Sequence, residues 1–140
     1  MRFLIVKVIV ATELFGETAK KTFDVKRKPL EGTATRMSLE KKFAGDLAGT
    51  SQGEMLAAMT AVKGSAGYVA IETLTGSLSG KRGTFILQHS GTMAGGKQEL
   101  SVTVVPDSGT GELVGLRGKM RIVIEGQAHY YELDYSGVVE

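Results

Sequence analysis

A chain of 140 residues fits one domain, and at that size folding buries about two-thirds of the surface an unfolded chain exposes, so a core forms without staples. The absence of cysteine excludes disulfides, thiolate catalysis and sulfur-ligated zinc, and two histidines leave little for any other transition-metal centre. Seventeen basic and fifteen acidic residues are interspersed for a net charge of +2, and five phenylalanines, four tyrosines and no tryptophan do not supply the aromatic platforms that accompany nucleic-acid binding.

The chain opens with "MRFLIVKVIVATELFG", one positive charge followed by a short apolar run. A signal peptide or membrane span fits poorly: Lys7 interrupts the run, no small-x-small cleavage site follows Ala11, and a span needs roughly 18 apolar residues. The expectation is a β-strand over Phe3 to Val10, apolar on both faces, that a barrel or a second chain must cover. A cytoplasmic location with no membrane partner follows, with secretion as the alternative.

Beyond this leader, alternating polar and apolar residues and 19 glycines against two prolines predict strands joined by tight turns. They are expected near Lys20 to Lys28, Thr33 to Ala44, Gly49 to Val62, Gly67 to Ser77, Arg82 to Met93, Gln98 to Val105, Lys119 to Glu125 and Ala128 to Tyr135. Spacing of eight to twelve residues between turns indicates an all-β sandwich or barrel. The basic run Lys20, Lys21, Lys26, Arg27 and Lys28 reads as a solvated strand face rather than a nucleic-acid site.

Period two assigns the faces. Met37 with Leu39, Met55 with Met59, Val69 with Ile71, Phe85 with Leu87, and Met120 with Ile122 are expected to point inward, as in an antiparallel sheet closed around its own interior. Pro106 to Gly118, "PDSGTGELVGLRG", breaks the pattern and reads as a turn and an irregular connector.

Two glycine-rich stretches invite a phosphate reading. In "GTMAGGKQ", Gly91, Gly96 and Lys97 are spaced as in a phosphate-binding loop, but Gln98 replaces the hydroxyl residue that would hold magnesium, and Glu99 to Val105 alternates as a strand where a helix is required. "GTGELVG", from Gly109, has no following helix or βαβ unit. Both are read as turns, and no cofactor or metal is expected.

The runs "GTFILQHSGTMAGG" from Gly83, "VVPDSGTGELVGLRG" from Val104 and "YYELDY" from Tyr130 closely resemble the bacterial domain of unknown function 3224 family. "TFDVK" from Thr22, "KKFAGDLAG" from Lys41 and "YVAIETLTGSLSGKRGTF" from Tyr68 agree with it. The resemblance covers Lys20 to Ser136 and divides the chain into a leader or extra strand over 1–19 and a barrel domain over 20–140. That family looks like a relative of the allene oxide cyclase and dirigent barrels, whose glycine motif is similar to Gly109, Gly111, Gly115 and Gly118 here. It therefore implies a single antiparallel eight-stranded β-barrel, without metal or organic cofactor and with a tendency to form homo-oligomers, and it carries no assigned catalytic residues.

Candidate site residues come from the chain itself. His89 shares a face with Phe85 and Leu87 and is expected to reach the interior as a base or a ligand anchor, although a buried histidine more often only satisfies its neighbours. Glu72 is expected on the outward face, and would become an acid or base with a raised pKa if a bulge turned it inward. Tyr131 alternates with His129, Leu133 and Tyr135 and offers a hydroxyl to the lumen. With Met37, Met55, Met59 and Met120 as adaptable lining beside Phe85 and Leu87, the reading is a barrel that binds a small apolar or amphipathic molecule. The alternatives are a cofactor-independent cyclase or isomerase using the same pocket, and a packed barrel that acts in protein assembly.

Overall fold

A computed structural model of the chain describes residues 4–5, 17–29, 35–125 and 128–139, with side chains at 26, 35–122 and 132–139. Among the described residues there are nine strands: β1 (Leu4–Ile5), β2 (Glu17–Pro29), β3 (Arg36–Gly45), β4 (Leu47–Met59), β5 (Ala66–Leu78), β6 (Lys81–Ala94), β7 (Lys97–Val104), β8 (Arg117–Glu125) and β9 (Ala128–Ser136). The helical content described is one 3-10 turn, Gly111–Leu113, so the protein is all-β. Every strand pairs antiparallel with its neighbour in sequence, and β2 pairs with β3 through Lys21 to Pro29 and with β9 through Glu17 to Lys21. Of the leader strand expected over Phe3 to Val10, β1 is described, paired with Asp24 and Val25; residues 6–16 lie outside the described residues.

The hairpins follow from turn chemistry. Ser79 (φ 49°) and Gly80 (φ 84°) join β5 to β6, and Gly95 (φ 56°) and Gly96 (φ 78°) join β6 to β7. Two consecutive left-handed residues make the turn whose twist matches that of the flanking strands. "GTMAGGKQ" is thus a strand, a hairpin and the start of β7, with no helix to receive a phosphate. The connector after Pro106 runs beside β6: Thr110 N–H donates to the Thr84 carbonyl at 2.9 Å, and the Ser108 hydroxyl accepts from Ile86 N–H at 3.0 Å. Those bonds press Leu113 and Leu116 into the core, where both are buried.

The inward rows can be followed across the sheet through its register. Lys41, Ser51, Leu74 and Phe85 are successive partners; the next row is Leu39, Gly53, Glu72, Leu87 and Val104; the next is Met37, Met55, Ala70, His89, Val102 and Met120. One end of the interior is filled by an apolar cluster that includes Phe43, Leu47, Leu74, Leu78, Phe85 and Leu116. Towards the other end Met37, Met55, Ala57, Tyr68 and Leu100 are half-buried.

Three expected faces are corrected. Val69 and Ile71 are 53% and 49% exposed, and the inward side of β5 is Ala70, Glu72, Leu74 and Leu78. Both sides of that strand carry apolar residues, so alternation within it leaves the phase open and pairing with β4 and β6 decides it. Glu72 therefore faces inward, and with no bulge, since its pairing with Gly53 and Leu87 continues that of its neighbours. Met59, expected inward, is 83% exposed because it ends β4, opposite Ala66 and past the inward rows.

Candidate functional site

Four consecutive strands each contribute one polar side chain to a buried cluster. Lys41 on β3 and Ser51 on β4 are direct partners, Glu72 on β5 lies one inward step away, and His89 on β6 lies one step further. The Glu72 carboxylate is the hub. Lys41 Nζ donates to Oε1 at 2.8 Å, Ser51 Oγ donates to Oε2 at 2.6 Å, and His89 Nε2 lies 2.5 Å from Oε1. All four residues are buried, Glu72 at 1% and His89 at 3% exposure. Room for the carboxylate depends on Gly53, where a Cβ would stand 2.7 Å from the Glu72 Cβ and 2.2 Å from the Ile71 carbonyl oxygen.

Burial among apolar side chains opposes ionisation of Glu72, but the adjacent Lys41 ammonium and the hydrogen bond from His89 outweigh it and lower its pKa to about 2. This is opposite to the raised pKa expected of an inward glutamate, because that expectation included burial and no cation. Glu72 is consequently a carboxylate at neutral pH. An anion accepts hydrogen bonds only, so the ring nitrogen facing it, Nε2, carries a proton. Among the described residues Nδ1 has no hydrogen-bond partner. The arrangement differs from a nucleophile triad, since the Ser51 hydroxyl bonds the carboxylate rather than the imidazole.

An open groove of about 820 Å³ lies on the outward face, between the exposed row of Leu56, Val69, Ser90 and Ser101 and the exposed Thr92 and Glu99, with the Gly91 backbone between them. Tyr68 packs its ring over Gly91, where a Cβ would lie 2.5 Å from the ring. A second groove, of about 410 Å³, shares Leu56, Val69 and Ser90 with the first and continues along that face past Ile71 to the exposed Arg36–Glu54 ion pair.

The expected site residues divide accordingly. His89 and Glu72 are brought together. Met37 and Met55 share the His89 row and are half-buried, whereas Phe85, Leu87 and Met120 belong to the filled apolar cluster. Met59 stands outside, and the Tyr131 side chain lies outside the described residues. Sequence reasoning missed Lys41, Ser51 and Tyr68. The signal for Lys41 was its parity with Leu39 and Phe43, and for Ser51 its parity with Leu47. Among the described residues no group of three or more His, Asp or Glu side chains could hold a metal ion, and no helix is long and apolar enough to cross a membrane.

The family described as protein of unknown function (DUF3224) matches residues 15–135. The chain is also similar to a solved structure, that of a protein with unknown function from the same family from Shewanella oneidensis MR-1, at 48% identity over 97% of this chain and 99% of that one, with a TM-score of 0.80. No curated protein matches. With the family's pattern running through nearly all of the strands described above, the chain belongs to the DUF3224 family.

Proposed function

We propose that this protein binds one small, mainly apolar molecule inside its sheet, in the half bounded by Met37, Met55, Ala57, Tyr68 and Leu100, with His89 as the polar contact at the floor. The reading includes closure of β2 to β9 into an eight-stranded barrel, supported by the pairing of β2 with both β3 and β9. A single observation carries it: a charged cluster is buried where a filled apolar region meets a half-buried one, Met37, Met55, Ala57, Tyr68 and Leu100. Sites for small molecules combine such apolar walls with a few converging polar groups. The test is titration with an environment-sensitive apolar dye. Saturation at one dye per chain, with displacement by apolar compounds, is expected; dye that does not saturate, or that nothing displaces, refutes the reading.

A second reading, cofactor-independent isomerisation, is favoured by the hydrogen bond that orients the His89 ring. Its Nδ1 would take a proton from the bound molecule and return it to another atom of the same molecule. A His89→Ala variant then keeps dye affinity within a few-fold and loses turnover of a displacing compound, whereas pure binding gives no turnover in either protein.

A further inference from the structure

The outward face of the middle strands is short of charge. Charged residues make up 23% of the chain, and the outward side of β3 carries Arg36, Glu40 and Lys42. By contrast, the outward positions of β5 from Val69 to Thr75, those of β6 from Ile86 to Thr92, and Ser101 and Thr103 on β7 carry none. Large apolar side chains there are open to solvent: Val69 is 53% and Ile71 49% exposed, beside Leu56 of β4 at 51%. Leu56 and Val69 stand between the two outward grooves as a ridge that both share. An uncharged centre with charge at its margin, here Arg36, Glu54 and Glu99, is how a protein interface is built.

From this face we infer that two copies of the chain pair in solution, back to back through the outward side of β4 to β7. The chemistry of the side chains selects a second copy. A two-fold contact sets each group near the axis against its own image, so a charge there would meet a like charge. The polar side chains at the centre are Gln88, Ser90, Thr92 and Ser101, and a hydroxyl or carboxamide is both donor and acceptor, so each can bond its own kind. Leu56 and Val69 of each copy seat in the larger groove of the other. Four strands at about 4.8 Å spacing and nine residues at about 3.3 Å present roughly 550 Å² per copy. The total of about 1,100 Å² passes the roughly 1,000 Å² that a specific contact needs and is below the standard size, so the pair forms and separates rather than being permanent. This face lies on the opposite side of the sheet from Glu72 and His89, so the pairing is independent of the interior binding reading.

The experiment is sedimentation velocity on the full chain across about 1 to 200 µM, read as a shift from 14.9 kDa towards twice that mass. Ser90, exposed and paired with Val69 at the centre of the face, is replaced by lysine in one variant and by glutamate in another. Each is expected to weaken the dimer at least about tenfold, because like charges then face each other, and an equimolar mixture of the two is expected to recover it. Val114→Lys, at a 62% exposed position in the connector and off this face, is expected to leave the dimer unchanged. Thermal melting checks that every variant is folded. Wild type that stays monomeric at about 200 µM overturns the inference. So does a dimer that survives in both Ser90 variants, or a mixture no more associated than its separate parts.

Discussion

Replacing Glu72 by glutamine keeps the shape of the side chain and removes its charge, so its effect isolates what the carboxylate does for its neighbours. Lys41, 7% exposed at the side chain, would then lose the counter-ion it holds at 2.8 Å. Removing one partner of a buried pair costs about 3 to 5 kcal/mol, because the remaining charge stays desolvated. A second route gives a similar figure: lowering the Glu72 pKa from 4.5 to about 2 corresponds to about 3 kcal/mol of preferential stabilisation of the ionised form. Against a net stability of about 5 to 15 kcal/mol for a domain, that is a large fraction. Urea unfolding should show Glu72→Gln with a much lower midpoint and an unchanged slope. Two comparisons sharpen the result. Glu54→Gln breaks an ion pair whose side chains are 44% and 56% exposed, and should cost less than about 1 kcal/mol. The double variant Lys41→Met with Glu72→Leu replaces the pair by apolar groups and should recover most of the loss. A Glu72→Gln variant within about 1 kcal/mol of wild type would refute the view that the carboxylate is ionised and neutralises Lys41.

The same carboxylate sets an acid limit. Since its pKa is lower in the folded protein, its stabilisation is complete above the unfolded value of 4.5 and is lost as pH falls towards about 2; urea midpoints measured from pH 7 down to pH 3 should fall in wild type and flatten in Glu72→Gln. At Gly53 an added methyl would sit 2.2 Å from the Ile71 carbonyl oxygen, a backbone atom that cannot swing aside. Gly53→Ala should therefore cost more than about 2 kcal/mol, read by thermal melting, and a melting temperature equal to wild type would contradict the close approach of β4 to β5.

Most of the architecture was legible because it is local. Alternation over "FILQH" and "ELSVTV", and the glycines of "SGKRG" and "AGGK", each contain their own strand or turn signal, and the strand expected at Arg82 to Met93 is observed as Lys81–Ala94. His89 could be assigned to the interior for the same reason, since Phe85 and Leu87 set an unambiguous phase. Glu72 could not, because Val69 and Ile71 compete with Ala70, Leu74 and Leu78 for the inward side. The cluster itself was hidden by distance along the chain: Lys41 and Glu72 are 31 residues apart, Ser51 and Glu72 are 21, and only the register of β3 through β6 brings them together. Lysine is also the residue whose burial is least expected, so its parity with Leu39 and Phe43 read as a solvated head on an apolar stem.

A buried polar cluster of this kind has two physical uses, and they make different demands on His89. One is register. Each of β3, β4, β5 and β6 supplies a single member, and a one-residue slip of β5 would put Ile71 inside and send Glu72 out, so the cluster penalises mispairing in the part of the sheet whose two faces are both apolar. Register alone is served by Lys41, Ser51 and Glu72, which already fix β3, β4 and β5. An imidazole adds β6 to the set, but it also brings a second ring nitrogen into a site 3% exposed, where an unsatisfied polar atom costs about 1 to 3 kcal/mol. Leucine at that position would continue the apolar row of Phe85 and Leu87 without this cost. The histidine is therefore the member of the cluster that register alone does not explain, which is why titration with an apolar dye bears on His89 more directly than any measurement of stability.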